Sequence, residues 1–162
     1  QLHITGNGRI DKQTAPQTVA FITMRGSYDQ TPEGYGRLYE WVTRRRLTPA
    51  GMPAAVYLTM PSSAPGVEAI WELWAPVAPD ADTVEPDEAG IGVKRIQPMT
   101  VASVVYIGPY DGVGPTYEAM WAWIRANGYV PAGPPMEVYH SDPEDTPLEE
   151  SVTEILMPVA PA

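Results

Sequence analysis

The sequence predicts an α+β fold of two pseudo-symmetric β-α-β-β repeats, with antiparallel sheets and two long helices. The first observation is that residues 16–79 align with residues 98–161 at an offset of 82 positions without a gap. The second is that each copy has the same order of apolar stretch, turn, amphipathic stretch and two further apolar stretches. Internal repetition indicates two units of one architecture. We expect them to pair about a pseudo-two-fold axis and to enclose a central space.

Each repeat begins with a stretch rich in β-branched residues, a composition typical of strands. In the first copy this stretch is 18–25 and is followed by a Gly-x-Tyr-Asp turn at 26–29. In the second copy the stretch is 100–107 and the turn is 108–111. The segment 90–97, and more weakly 8–15, predicts a lead-in strand before each of them. The start of each repeat is therefore expected to be a pair of strands.

A helix is predicted after each turn, over 32–45 and 114–126. Pro32 and Pro115 lie near the first turn, where a missing N–H costs little. Apolar side chains then recur at i, i+3, i+4 and i+7, which marks one buried helix face. The two matching sets are Tyr35, Leu38, Tyr39 and Val42, and Tyr117, Met120, Trp121 and Ile124.

Two strands close each unit, and the segments between them carry turn residues. The predicted strands are 54–60 and 69–77 in the first copy, and 136–141 and 151–159 in the second. The Pro-rich segments 61–66 and 143–150 predict loops. We expect a single domain with repeat one over about 8–79, an acidic linker over 80–89 and repeat two over about 90–161.

Composition narrows the classes of function. The net charge is −10, and residues 80–162 carry 3 basic against 14 acidic residues, a balance of 3 − 14 = −11. This disfavours direct binding of nucleic acid, whose phosphates require basic patches. The chain has no Cys, and its two His residues, His3 and His140, lie in different contexts, so we expect neither a metal nor a cofactor. The lack of Cys fits a cytoplasmic location, and no apolar run approaches the ~20 residues of a membrane span.

Aromatic residues and carboxylates remain as candidates for function. Five Trp and nine Tyr against one Phe favour the walls of a ligand cavity, with an ordinary core as the alternative. Glu137 stands in the second copy where the first has Ala55. Strand alternation places Glu137 and Tyr139 on one face, and Ala55 and Tyr57 on the equivalent face. If that face borders the central space, a cation or hydrogen bonds would have to offset the carboxylate charge; a surface glutamate is the alternative.

A second carboxylate pair is interpreted differently. Glu72 and Glu154 occupy the same place in WELWAPV and TEILMPV, which favours a structural role over a site. Trp71 shares a strand with Glu72, so only one of the two can point inward. We expect Trp71 to face the cavity and Glu72 to meet solvent or a structural partner.

The sequence resembles the GyrI-like small-molecule-binding domain, which also forms the effector-binding half of AraC-type and MerR-type regulators. The resemblance covers 8–161 and rests on the duplicated unit and on three motifs: Gly-Pro-Tyr at 108–110, Asn-Gly-Tyr at 127–129 and Glu-Val-Tyr at 137–139. It implies two repeats around a central ligand cleft, with Glu137 as the acidic residue that meets lipophilic cations. By the same motifs Tyr139 is its neighbour, and Tyr35 and Tyr117 are the helix aromatics that line the cleft.

The first copy departs from the pattern, with Gly-Ser-Tyr at 26–28. Only about 15 residues precede the first repeat, too few for a helix-turn-helix. We therefore expect a stand-alone member of the family that does not itself bind nucleic acid.

The resemblance implies a protein that captures hydrophobic aromatic, often cationic small molecules, with a protein partner left open. The expected ligand-binding residues are Glu137, Tyr139, Tyr35, Tyr57, Trp71, Tyr106 and Tyr117. An alternative is an enzyme that hydrolyses cyclopropane-containing alkylating genotoxins. There Glu137 would activate water while Tyr139 or Tyr57 bonds the ligand carbonyl. A third hypothesis is that the protein inhibits DNA gyrase through an acidic surface.

Overall fold

The chain forms two compact units in the computed structural model, which describes residues 2–4, 12–59, 68–141 and 145–162. Unit 1 comprises Gln1–Thr14 and Pro98–Ala162, and unit 2 comprises Ala15–Gln97. Each unit is an antiparallel sheet with one long helix, so the fold is α+β, as the sequence predicts.

The helices and strands of the described residues include those of each predicted repeat in the predicted order, with β1 and β8 in addition. In chain order they are β1 (Leu2–Ile4), β2 (Lys12–Gln13), β3 (Gln17–Gly26), α1 (Thr31–Arg44), β4 (Ala54–Tyr57), β5 (Ala69–Val77), β6 (Ile91–Ile96), β7 (Thr100–Ile107), α2 (Gly114–Ala126), β8 (Tyr129–Pro131), β9 (Met136–Tyr139) and β10 (Val152–Pro161). Three-residue 3-10 turns at Tyr28–Gln30 and Tyr110–Gly112 lead into the two helices. The predicted loop at 61–66 and residues 8–11 of the first lead-in strand lie outside the described residues.

Unit 2 is a four-stranded sheet in the order β4-β5-β3-β6, covered on one face by α1. The helix buries Leu38, Trp41 and Val42. It approaches the sheet closely at Gly34, where a Cβ would lie 2.7 Å from Leu73 Cδ1 and 2.8 Å from Met24 Sδ. A larger residue there would require the flexible ends of the Leu73 and Met24 side chains to move.

Unit 1 repeats this plan with strands in the order β1-β7-β10-β9, with β2 also on β7 and β8 on β10. Its helix α2 packs on the sheet through Met120 and Ile124. Together with strand residues these form one buried cluster of Ala102, Val104, Met120, Ile124, Ile155, Met157 and Val159. The apolar face predicted for α2 is therefore the face that meets the sheet.

The compact units and the sequence repeats have different boundaries, because the lead-in strand of each repeat pairs with a strand of the other repeat. Strand β6 lies at the start of repeat two, yet it pairs with β3 of unit 2. Strand β2 lies at the start of repeat one, yet it pairs with β7 of unit 1. The acidic segment 80–89 also belongs to unit 2, where Val84 forms a bridge with Val93 of β6.

Gly92 of β6 provides a test of the contact between β6 and segment 84–86. A Cβ on Gly92 would meet the backbone oxygen of Val84 and lie 3.1 Å from the backbone nitrogen of Pro86. We expect Gly92→Ala to lower the free energy of unfolding by about 1–3 kcal/mol, since backbone atoms would have to shift. Urea unfolding followed by Trp fluorescence measures the effect.

The matched control is Gly36→Ala in α1, where a Cβ would meet nothing within 4 Å. Because alanine is the better helix former, this variant should gain up to about 1 kcal/mol. Equal stability for both variants would mean that segment 84–86 does not lie against β6 in solution.

Candidate functional site

Glu137 lies in β9, and only 1% of its surface is exposed. It stands opposite Ile155 of β10, which belongs to the buried cluster under α2. Strand alternation therefore turns Glu137 and Tyr139 to the helix side of the unit 1 sheet. A carboxylate at such a depth is costly unless polar partners surround it.

Three tyrosine hydroxyls donate hydrogen bonds to this carboxylate. Tyr110 Oη lies 2.7 Å from Oε1, and Tyr139 Oη lies 2.9 Å from the same oxygen. Tyr117 Oη donates to Oε2. We call these four residues the Glu137 cluster. An ionised carboxylate only accepts hydrogen bonds, so three O–H donors complement its charge in the buried position.

Three different elements bring these tyrosines together. Tyr139 comes from β9 itself, Tyr117 from the second turn of α2, and Tyr110 from the 3-10 turn between β7 and α2. Tyr117 also packs against the buried core. Tyr110, in contrast, exposes 48% of its surface. Tyr117 and Tyr139 are half-buried, so Tyr110 is the most exposed member of the cluster.

Tyr106 positions the turn that carries Tyr110. Its hydroxyl donates to the backbone oxygen of Pro109 at 2.6 Å, and it is 6% exposed. The turn is further held by Gly108, whose N–H donates to Ser151 O at 2.9 Å and whose φ of +143° favours glycine. Tyr106 therefore supports the Glu137 cluster from outside it.

Unit 2 repeats the three tyrosines without the acid. Tyr28, Tyr35 and Tyr57 stand 82 positions before Tyr110, Tyr117 and Tyr139, and Ala55 stands before Glu137. In this unit the Tyr35 hydroxyl donates to Ala54 O at 2.6 Å and the Tyr28 hydroxyl donates to Thr59 O at 3.2 Å. The repeats thus keep the three tyrosines and differ at the position of the acid.

Trp71 completes the tyrosine group of unit 2. It is fully buried, its ring centroid lies 4.6 Å from that of Tyr28, and its Nε1–H donates to Thr31 Oγ1 at 3.1 Å. The equivalent residue in unit 1 is Thr153, which is 5% exposed and stands opposite Tyr139. An indole thus fills the unit 2 position, and a small hydroxyl residue fills the other.

The second carboxylate pair has partners away from both tyrosine groups. Glu72 Oε1 lies 2.6 Å from Lys94 Nζ and accepts a bond from Trp74 Nε1 at 2.9 Å. Glu154 Oε1 lies 3.0 Å from His140 Nε2. Both glutamates have the structural partners that the sequence analysis expects.

Tyr39 of α1 is a tyrosine whose pKa is shifted by its surroundings. Burial raises the pKa of its phenol above the ordinary value, because the charged form is disfavoured there. Its ring centroid lies 6.4 Å from that of Tyr35. A tyrosine phenol is protonated at neutral pH in any case, and burial of Tyr39 makes its ionisation harder still.

The predicted site residues thus fall into three groups. Tyr117 and Tyr139 contact Glu137, whereas Tyr106 holds the neighbouring turn. Tyr35, Tyr57 and Trp71 lie in unit 2. A ligand-binding role stays a prediction for all the residues of the predicted site. The sequence reasoning missed Tyr110 as a member of the site. The signal was the tyrosine that both Gly-x-Tyr-Asp turns keep, at 28 and 110.

The described residues contain neither a candidate metal site nor a candidate membrane-spanning helix. Among them, no group of three or more His, Cys, Asp and Glu side chains is placed to hold a metal ion. No helix in the described part of the chain is both long enough and apolar enough to span a bilayer.

Comparison with known proteins identifies the family. Residues 12–160 match the family model of the GyrI-like small molecule binding domain. None of the curated proteins matches the sequence.

Solved structures of the same fold cover nearly the whole chain. The EcmrR C-terminal domain is 20% identical with a TM-score of 0.73, covering 100% of this chain and 98% of that one. SAV2435 bound to tetraphenylphosphonium is 19% identical with a TM-score of 0.57 and coverage of 99% and 93%. A hydrolase from Listeria innocua is 16% identical with a TM-score of 0.61 and coverage of 94% and 92%. This chain spans 58% of the length of the EcmrR chain in its DNA complex.

Proposed function

This chain belongs to the GyrI-like small-molecule-binding domain family, and from that membership we propose that it captures lipophilic aromatic cations at the Glu137 cluster. The observation that carries the proposal is the buried Glu137 carboxylate, ringed by three tyrosine hydroxyls in one repeat and replaced by Ala55 in the other. An acid in this setting adds recognition of positive charge to an aromatic surface.

The chemistry of the cluster suits a cation with flat apolar groups. Tyrosine faces attract cations through the ring quadrupole, by about 0.5–2 kcal/mol for each contact. Tyr110 and Tyr139 lie edge to face, with centroids 6.5 Å apart, so their rings offer surfaces in two orientations. The carboxylate supplies the charge that a neutral aromatic site lacks.

The similar fold of SAV2435, solved with tetraphenylphosphonium, supports the choice of ligand class. That compound is a delocalised cation wrapped in phenyl rings, and the Glu137 cluster offers it one negative charge and three phenol rings. We propose tetraphenylphosphonium as a probe of this site and not as its natural ligand.

A paired titration tests the proposal. The protein should bind tetraphenylphosphonium saturably, and more tightly than neutral triphenylphosphine oxide, which has a similar shape. Calorimetry measures both affinities without a label. Equal affinities for the two probes would contradict a site that recognises charge.

A second candidate is hydrolysis of strained alkylating compounds, favoured by the direct hydrogen bonds between one carboxylate and phenols. Glu137 could orient or deprotonate water, while Tyr139 bonds the carbonyl of a cyclopropane-containing ligand. The fold is shared with a hydrolase from Listeria innocua. Mass spectrometry of such a compound after incubation would show a gain of one water. Under this alternative the gain should stop in Glu137→Gln.

A further inference from the structure

We infer, on the basis of the proposed function, that Trp121 of α2 is a further ligand-binding residue of unit 1. Its indole packs against the aryl groups of the cation whose charge Glu137 recognises. Affinity for the aromatic part of a ligand and selectivity for its charge are then set by two different residues.

Trp121 lies one helical turn beyond Tyr117 in α2. Residues four apart in a helix are neighbours on its surface, with about 5–6 Å between their Cβ atoms. The Tyr117 hydroxyl donates to Oε2 of Glu137, so the helix surface next to that contact carries an indole. Both side chains pack against the buried cluster of unit 1, and both remain partly exposed. Trp121 therefore extends the aromatic surface of the Glu137 cluster along α2.

The first repeat has two aromatic rings side by side at the same pair of positions. Tyr35 and Tyr39 of α1 stand 82 positions before Tyr117 and Trp121. Their ring centroids lie 6.4 Å apart, which shows that this spacing brings neighbouring rings together in the fold. In the repeat that also carries Glu137, the second ring is an indole, the largest flat apolar surface among the side chains.

A lipophilic cation needs apolar contacts as well as a counter-charge. Tetraphenylphosphonium holds its charge inside four phenyl rings, so most of its surface must meet apolar side chains. Contact between an indole and a phenyl ring does not require the ligand to be charged. Trp121 should therefore contribute to the binding of neutral and cationic aromatic compounds alike, whereas Glu137 contributes to the binding of the cation.

Trp123 of the same helix provides a matched comparison. Like Trp121, it packs against the buried cluster of unit 1 and is partly exposed. Two residues correspond to about 200° of rotation around an α-helix, so the two indoles project from different sides of α2. The same substitution at the two positions separates proximity to Tyr117 from the general loss of an indole.

Alanine substitutions at both positions test the inference. Trp121→Ala should weaken the binding of tetraphenylphosphonium and of neutral triphenylphosphine oxide by about tenfold each, since either probe loses an aromatic contact. Trp123→Ala should bind both probes like the wild type. Trp121→Tyr, which repeats the residue of position 39, should recover most of the affinity. Calorimetry measures the affinities, and circular dichroism shows whether each variant is folded.

Tryptophan emission gives a second readout that does not depend on the alanine variants. The wild type and Trp123→Phe should show a saturable change in emission with tetraphenylphosphonium, at the Kd that calorimetry gives. Trp121→Phe should lose most of that change, because the indole in contact with the ligand is absent. If Trp121→Ala does not fold, this comparison decides, and an unaltered emission change in Trp121→Phe would overturn the inference.

The outcomes distinguish the role of Trp121 from the proposed function. Wild-type affinity for both probes in Trp121→Ala would overturn the inference, and so would an equal loss in Trp123→Ala. A loss confined to the cation would also overturn it, since Trp121 would then act through charge. The proposed function fails separately, if Glu137→Gln binds the cation like the wild type.

Discussion

The Glu137→Gln variant should bind tetraphenylphosphonium more weakly than the wild type by about 1–3 kcal/mol, or roughly 5- to 150-fold. Glutamine keeps the shape of the side chain and removes its charge. It also places an amide NH₂ where the buried carboxylate accepts bonds from Tyr110, Tyr117 and Tyr139. Affinity for triphenylphosphine oxide should change little, since the rings remain. Calorimetric titration of both probes measures the difference.

The control for this variant is Glu118→Gln on the exposed surface of α2. It changes the net charge by the same amount and leaves the cluster intact. Only the Glu137 variant should lose affinity for the cation. A similar loss in both variants would indicate that the overall negative charge attracts the ligand, without a specific role for Glu137.

The Trp71→Ala variant should lower the free energy of unfolding by about 3–5 kcal/mol, the range for large aromatic residues in cores. Trp71 is fully buried, lies against Tyr28 and bonds Thr31. Removing the indole leaves a cavity in unit 2 and removes the N–H that donates to Thr31. Urea unfolding followed by circular dichroism measures the loss.

Trp71→Phe provides a graded comparison. It keeps an aromatic ring in the position and removes the Nε1–H donor to Thr31, so its cost should be clearly smaller than that of alanine. A loss below about 1 kcal/mol for Trp71→Ala would show that the indole is not part of a closely packed core.

Much of the fold follows from local patterns in the sequence. The helix predicted over 114–126, the strand over 100–107 and the strand over 69–77 coincide with α2, β7 and β5. These segments have clear periodicity and sharp end signals, because apolar faces and turn residues are local properties. Strand β8 was missed, since three residues that end in Pro131 show no alternation.

The position of a lead-in strand along the chain does not predict which sheet it joins. The sequence repeat groups 90–97 with the strands and helix that follow it, but β6 pairs with β3, which comes before it in the chain. The choice of partner depends on which sheet edge is uncovered in three dimensions. A repeat in the sequence identifies the elements of a fold without assigning each strand to a sheet.

The sequence indicated Glu137 as a candidate, but it did not show which side chains surround this residue. The exchange of Ala55 for Glu137 was visible because the two copies can be compared directly. The convergence of Tyr110 and Tyr117 on Glu137, across 27 and 20 positions, depends on how the turn and α2 pack on the sheet. Residue spacing does not contain that information. The tyrosines kept in both copies nevertheless include the three whose hydroxyls donate to Glu137.

The central claim is that Glu137 is the charge-recognising group of a cation site. The most direct test is a crystal structure of the protein with bound tetraphenylphosphonium. The claim predicts the cation beside the Glu137 carboxylate in unit 1, among the rings of Tyr117 and Tyr139. A cation bound elsewhere, with the hydroxyls of Tyr110, Tyr117 and Tyr139 all still on Glu137, would contradict it.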